Sequence, residues 1–203
     1  VGRLATRAAA ILVLALAAGC ASAHHLEGVP DVIASNSYSC GPAATQAVLM
    51  FYGIWGHQDE YAKELGTTPD AGTNPGAIVA FLKKKGLDAE LKQDLSLDDL
   101  RRYVDDGVPV IIDFQAWHDW TATHDYTAEW EDGHYGVLTG YDDHAFYIED
   151  PSLLGTVGFV EADDLLARWH DSTTIDDRPV KFIHAGIVVR GKPVPQPPFT
   201  PIK

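Results

Sequence analysis

The 203-residue chain, 46% hydrophobic and 10% aromatic, is long enough for one domain with a sizeable core and too apolar for a disordered chain. A net charge of −14 makes nucleic acid and anionic membrane surfaces poor partners, since both would repel it, and favours a basic or neutral substrate.

Residues 1–23 read as an export signal. Arg3 and Arg7 form a positive start, and Ala8 to Ala18 is an uncharged apolar run too short to span a bilayer. Two cleavage patterns compete. Ala21-Ser22-Ala23 has the small-x-small form cut by ordinary signal peptidase. Leu16-Ala17-Ala18-Gly19-Cys20 is similar to a bacterial lipoprotein box, in which Cys20 takes the lipid. The expectation is a bacterial protein that is exported, either tethered to the membrane as a cell-envelope lipoprotein through Cys20 or secreted. Either cleavage leaves Cys40 with no disulfide partner, and a lone thiol in an exported chain stands out.

Residues 24–29 read as a linker and residues 30–190 as the domain. Val32-Ile33-Ala34 is extended and leads to Ser39-Cys40-Gly41-Pro42-Ala43-Ala44. Ala44, Ala47, Val48 and Phe51 then recur at helical spacing as far as Gly53. Pro42 suits a first helical turn, where its missing N–H costs nothing. A thiol at that point feels the positive end of the helix and its unpaired N–H groups, and both favour thiolate. Gln58 to Leu65 is a short helix closed by Gly66. Asn74-Pro75 caps a helix over Gly76 to Lys85 that stops at Gly86. Leu87 to Lys92 alternates as a strand, and Ser96-Leu97-Asp98-Asp99 has the shape of a capping box opening a helix that ends at Gly107.

The second half changes character. Val108 to Phe114 is rich in branched residues and reads as a central strand. His134 to Tyr141 and Ala145 to Glu149 form a hairpin about Asp142-Asp143-His144. Val157 to Val160 is a short strand, Ala162 to Trp169 a helix, and Val180 to Val189 a closing strand. Residues 191–203 are a proline-rich tail. Helices first and an antiparallel sheet second predict an α+β domain. The chain has no internal repeat and no glycine-rich phosphate loop, and its chemistry calls for no cofactor.

A thiolate nucleophile needs an imidazole to handle its proton and a group to orient that imidazole. Among the histidines, His24 and His25 read as solvated near the mature start, His57 as a loop residue, His170 as a helix end and His184 as part of the closing strand. His134 differs: it follows Asp132-Gly133 and opens a strand, which gives it a rigid mount. Asp150 ends the partner strand, and hairpin geometry returns it to the level of His134. Taken singly, Cys40 is as well read as a buried small hydrophobe, and Asp150 before Pro151 as a turn initiator. Trp117-His118-Asp119-Trp120 with His124-Asp125 has metal-ligand types, but such loop side chains are more often solvated, so no metal is assigned. Trp117, Trp120 and Trp130 read as a wall or lid near a cleft. Gln115 is open between a structural role and a place in the site.

Together, Ser39 to Ala44, Gly133-His134-Tyr135, Gly140-Tyr141-Asp142 and Asp150-Pro151 resemble the bacteriocin-processing peptidase family. These are papain-like cysteine peptidases that, in their best-known members, cut leader peptides after a double glycine. The resemblance runs from Pro30 to about Val189 and points to the stand-alone exported branch. It implies a papain-like fold, with Cys40 as nucleophile, His134 as general base and then acid, and Asp150 as orienter. It also implies a peptide or protein substrate and no obligate partner.

One position departs from the family. The glutamine six residues before the cysteine, whose amide donates to the oxyanion, is Ala34 here. Asn36 carries the same amide and is the candidate oxyanion donor. Without it the site is crippled, since losing one donor costs on the order of 10²–10³ in rate. The expected function is an exported cysteine peptidase working through an acyl-enzyme. The alternatives are an impaired papain-like peptide-binding module, which Ala34 supports, and a thiol-dependent acyltransferase or deamidase.

Overall fold

Residues 23–117, 125–175 and 178–194 are described by a computed structural model. Most of the segment read as an export signal, with Cys20, the His118 to His124 part of the histidine–tryptophan loop and the end of the tail lie outside these described residues. The helices form where local chemistry is strongest. α1 (Cys40–Phe51) begins at the cysteine, with Pro42 in its first turn. α2 (Gln58–Leu65) ends on Gly66, whose φ of 68° is the left-handed conformation that closes a helix. At α3 (Pro75–Lys84) the Asn74 carboxamide oxygen accepts from the Gly76 N–H at 2.8 Å. After strand β2 (Asp88–Lys92), α4 (Leu97–Asp105) opens on a complete capping box: Ser96 Oγ accepts from the Asp99 N–H, and the Asp99 carboxylate accepts from the Ser96 N–H.

The sheet is built from β3 (Val110–Gln115), β4 (Gly133–Tyr141), β5 (Ala145–Glu149), β6 (Gly158–Glu161) and β9 (Gly186–Arg190), together with β2. Its order is β2-β9-β3-β4-β5-β6, with antiparallel neighbours throughout. All six residues of β3 are buried, because helices cover both faces. Ile111 packs with Ala47, Tyr61 and Ile78 of α1, α2 and α3. Val110, Ile112 and Phe114 pack the other way, against Leu100 of α4 and Leu165 of α5 (Ala162–Arg168). The expected α+β class is the one observed. Along β3 the Ile111 side continues through Asp113 and Gln115, so two polar side chains lie on the face that carries α1.

Three segments differ from expectation. Residues 24–29, read as a linker, begin with β1 (His24–His25), which pairs with Tyr141 and Gly140 of β4, and Leu26 beyond it is buried. The closing strand over residues 180–189 is two strands broken at His184. Its φ of 45° cannot continue a pleat, and Gly186 follows where a Cβ would lie 2.7 Å from Val110 Cγ1. The first part belongs to β8 (Arg178–Ile183), which pairs with β7 (His170–Ile175) in a separate two-stranded ribbon. His170 therefore opens a strand instead of ending a helix. It is buried, with its Nε2 2.6 Å from the Glu129 carbonyl oxygen. His-Asp-Ser-Thr-Thr-Ile has no apolar alternation, so nothing local announced β7.

Candidate active site

Cys40 stands at the N-terminus of α1, and the loop before it is held by one side chain. Gln58 accepts from the Ser35 N–H at 2.7 Å through Oε1 and donates through Nε2 to the Ile33 carbonyl at 2.9 Å and to Gln46 Oε1 at 3.2 Å. Ser39 is buried, and its hydroxyl donates to the Asn36 carbonyl at 3.1 Å. Further back, the Val32 N–H donates to Glu149 Oε1 at 2.9 Å and the Ala34 N–H to the Pro151 carbonyl at 2.9 Å. The arm leading to the cysteine is thus tied to the residues on either side of Asp150. At Gly41 a Cβ would sit 2.6 Å from Thr73, so only glycine allows the helix start to approach that wall.

His134 opens the buried part of β4 and is 6% exposed. Its Nε2 meets Asp150 Oδ1 at 2.7 Å, which leaves Nδ1 for the Cys40 thiol, its other hydrogen-bonding neighbour. Asp150 also accepts from the Ser152 N–H at 2.8 Å on Oδ1 and from Trp117 Nε1 at 3.1 Å on Oδ2. Trp117 and Phe114 set their rings edge-on to His134 at 6.5 and 5.7 Å. His134 and Asp150 are therefore neighbours, as the hairpin reading expects, and Cys40 reaches His134 from α1.

The ionisation of these groups follows from their contacts. Burial works against the Cys40 thiolate. The hydrogen bond and charge of His134, with the N–H groups of Tyr135 and Gly41, outweigh it and hold the thiol below its ordinary value. Burial likewise opposes the imidazolium of His134, but Asp150 and Cys40 push its pKa up to about 10. At Asp150, burial is overcome by His134, the Ser152 N–H and Trp117, so the carboxylate lies below its usual range. The same contacts favour a thiolate–imidazolium pair with an ionised carboxylate beside it.

Other expected residues have contacts of their own. Asn36 is exposed, and its Oδ1 accepts from the Tyr38 N–H at 3.1 Å, so its side chain closes a local turn. Gln115, 0% exposed, ties strands together: its Nε2 donates to the His170 carbonyl at 3.0 Å and to Asp171 Oδ1 at 3.1 Å, and its Oε1 accepts from the Asp132 N–H at 2.9 Å. Trp130 lies against His170, with ring centroids 4.4 Å apart. Among the described residues no group of three or more His, Cys, Asp or Glu side chains could hold a metal ion.

A cleft of about 430 Å³ opens beside the thiol, lined by Cys40, Asp70, Trp130, Glu131, Tyr135 and Asp171, among others. Sequence reasoning missed its acidic side. Asp171 comes from the unannounced strand β7. Asp113 lies under the cleft floor near Asp171, Tyr135 and Cys40. Burial, then the charges of Asp171 and Cys40, raise its pKa well above the carboxylate range. A single carboxylate inside the apolar run from Val108 to Phe114 was the one available signal. Glu149 was missed too. It is 4% exposed, and burial with the nearby charges of Asp31 and Asp150 raises its pKa to about 8 against the pull of the Val32 N–H.

Comparison with known proteins adds to this geometry. The model of the Peptidase C39 like family matches residues 23–172. Three solved structures have the same fold. One is a protein from Bacillus anthracis described as a C39-like peptidase, 18% identical with a TM-score of 0.62, over 85% of this chain and 100% of that one. Another is the peptidase domain of Streptococcus ComA, a bi-functional ABC transporter involved in quorum sensing, 18% identical with a TM-score of 0.59, over 80% and 98%. The third is a double glycine motif protease from an AMS/PCAT transporter in complex with the leader peptide, 19% identical with a TM-score of 0.56, over 82% and 93%. No curated protein matches the chain.

Proposed function

Given that the chain belongs to the Peptidase C39 like family and has its papain-like α+β fold, we propose that it is a cysteine peptidase that cuts a peptide bond through Cys40, His134 and Asp150. The observation that carries this reading is the buried contact of His134 with Asp150 at 2.7 Å on one nitrogen and with the Cys40 thiol on the other. Cys40 Sγ, already a thiolate, attacks the substrate carbonyl carbon and displaces its π electrons onto oxygen. As the tetrahedral intermediate collapses, the C–N bond breaks and Nδ1 of His134 gives its proton to the leaving amine. A thioester remains. Water then attacks the thioester, His134 takes one of its protons, and the C–S bond breaks to give the free thiolate and a carboxylic acid, which loses its remaining proton to solvent. Asp150 keeps the imidazole in the orientation both steps need.

The oxyanion finds the backbone N–H of Cys40, which the start of a helix leaves without an intrahelical acceptor. Asn36 enters as the second donor through its Nδ2, since Oδ1 is the atom closing the turn. An Asn36→Ala variant tests this: a donor loses on the order of 10² in kcat, a turn residue only a few-fold. The substrate is a peptide, on the analogy of the relative solved with its leader peptide. Export rests on the charged and apolar segment before Cys20. A binding module with an idle site is the second reading, favoured by Ala34 at the position of the family's glutamine.

Iodoacetamide alkylation of Cys40 as a function of pH separates the two. The peptidase reading expects rapid labelling well below the ordinary thiol pKa of about 8.5, lost in His134→Ala. Slow labelling that is identical in both proteins overturns it.

A further inference from the structure

Strand β7 turns an edge, not a face, to the cleft beside Cys40. Side chains alternate between the two faces of a strand, so a strand seen face-on lines a cavity with every second residue. Here Asp171, Ser172, Thr173 and Thr174 line the cleft in an unbroken run. The opposite edge of β7 is taken by β8, its one partner in the ribbon.

The register says which main-chain groups face the cleft. The His184 N–H donates to the Trp169 carbonyl at 2.9 Å, which brackets the pair His170–Ile183 and makes it a non-hydrogen-bonded one. Such pairs alternate, so Ser172–Lys181 and Thr174–Pro179 are of the same kind. Two further observations agree. Pro179, with no N–H to give, stands where the ladder asks for none. The His170 carbonyl turns away from β8 and accepts from Gln115 Nε2 at 3.0 Å. The N–H and C=O of Ser172 and Thr174 therefore point away from β8, on the cleft side. The Asp171 carboxylate takes the Ser172 N–H. The Ser172 C=O and both main-chain groups of Thr174 have no hydrogen-bond partner among the described residues. Free strand edges are usually blunted by a charge or a bulge, yet Ser172, Thr173 and Thr174 are uncharged and in unbroken register.

We propose that the substrate lies extended along this edge as an added strand, its main chain paired with the Ser172 C=O and the N–H and C=O of Thr174. The inference deepens the peptidase reading and rests on it. The edge and the Cys40 thiol open into the same cleft, so the chain that pairs with β7 is the chain that Cys40 attacks. The open groups at Ser172 and Thr174 repeat at about 6.8 Å, twice the rise of a strand, and alternate residues of any extended peptide match that repeat.

Thr174→Pro removes one of these donors and nothing that the ladder with β8 uses, because that N–H points away from β8. A pool of capped heptapeptides of random central sequence, used to protect Cys40 from iodoacetamide, reads the effect. The concentration that halves the labelling rate is expected to rise about five- to tenfold in the proline variant. Amide hydrogen exchange needs no variant. With the pool present the Thr174 N–H should exchange severalfold more slowly, while the Val180 N–H, inside the ladder, does not change. No protection by the pool, equal protection of parent and variant, or unchanged exchange at Thr174 overturns the proposal. So does a dimer of the free chain that Thr174→Pro dissociates, since the edge would then belong to a second copy. Labelling without peptide reports on the thiol alone. Slow labelling sinks the peptidase reading, whereas rapid labelling with protection indifferent to Thr174→Pro sinks the edge alone.

Discussion

Glu149 and Asp150 are consecutive, both carboxylic acids and both almost wholly buried, at 4% and 6% exposed. They nevertheless take opposite ionisation states. Burial penalises both charges. At Asp150 the answer is His134 on Oδ1, the Ser152 N–H and Trp117 Nε1 on Oδ2, and the carboxylate is held down. At Glu149 the Val32 N–H is the one hydrogen bond among the described residues, Oε2 has none, and the charges of Asp31 and Asp150 add repulsion that the more distant His134 does not offset. The proton stays on, up to about pH 8. Burial therefore does not decide charge here; the number and sign of the partners do. Asp113 extends the same rule, buried beside a second carboxyl and a thiolate and held well above the usual range.

The largest test of the contrast removes the charged member. Asp150→Ala leaves the imidazolium buried without its carboxylate and is expected to cost about 3–5 kcal/mol of stability near pH 6. Activity on a peptide substrate should fall on the order of 10³–10⁴. The pH dependence carries a sign. His134 has a folded pKa above its unfolded value, so its contribution is complete below about pH 6.5 and is lost as the pH rises through about 10. Asp150 has a lowered folded pKa, so its share is present above the ordinary carboxylate value and is lost as acid takes the pH below it. Denaturant melts from pH 3 to 10 should show both slopes in the parent protein, and in the variant no acid slope from this site and a weaker alkaline one, since Cys40 still supports the charge on His134.

An effect of opposite sign is expected from Glu149→Gln. An acid whose folded pKa is raised makes the fold less stable as pH climbs from its ordinary value toward the folded one, because the unfolded chain ionises first. The amide abolishes that loss, so the variant should gain on the order of 4 kcal/mol at pH 8 and little at pH 4. A variant less stable than the parent at pH 8 would show that Glu149 is charged and paired, and the contrast with Asp150 would collapse. The smallest change is Ser96→Ala, which removes half of the α4 capping box on the far face of the sheet. It should cost about 1 kcal/mol and leave the alkylation profile of Cys40 untouched, which checks that stability and thiol activation are separate readouts.

Much of the site was legible in the sequence because its parts sit at ends that local chemistry marks. Cys40 precedes a proline in a first turn, His134 follows a glycine at a strand start, and Asp150 follows a strand of fixed length after a tight turn. Strand alternation and hairpin return then bring the last two together. The misses have the opposite character. β7 is polar and pairs only with β8, so its partner and not its own pattern makes it a strand. The break at His184 depends on a positive φ that no residue type there announces. Trp117 reads as an aromatic wall in the sequence, and only the fold adds that its Nε1 donates to Asp150.

By itself the sequence determined most of the helices, the hairpin, the α+β class and the pairing of His134 with Asp150, since each depends on neighbours within a few residues or across one turn, while the packing of α1 on β4 brings Cys40 to them. Only the tertiary structure decided that Asp113 and Asp171 share one floor, that Gln58 holds the arm before Cys40 and that Glu149 stays protonated beside a charged Asp150. Those facts depend on which distant groups arrive at a buried oxygen. Periodicity and spacing say that a side chain is inside, and only the fold says what answers it there.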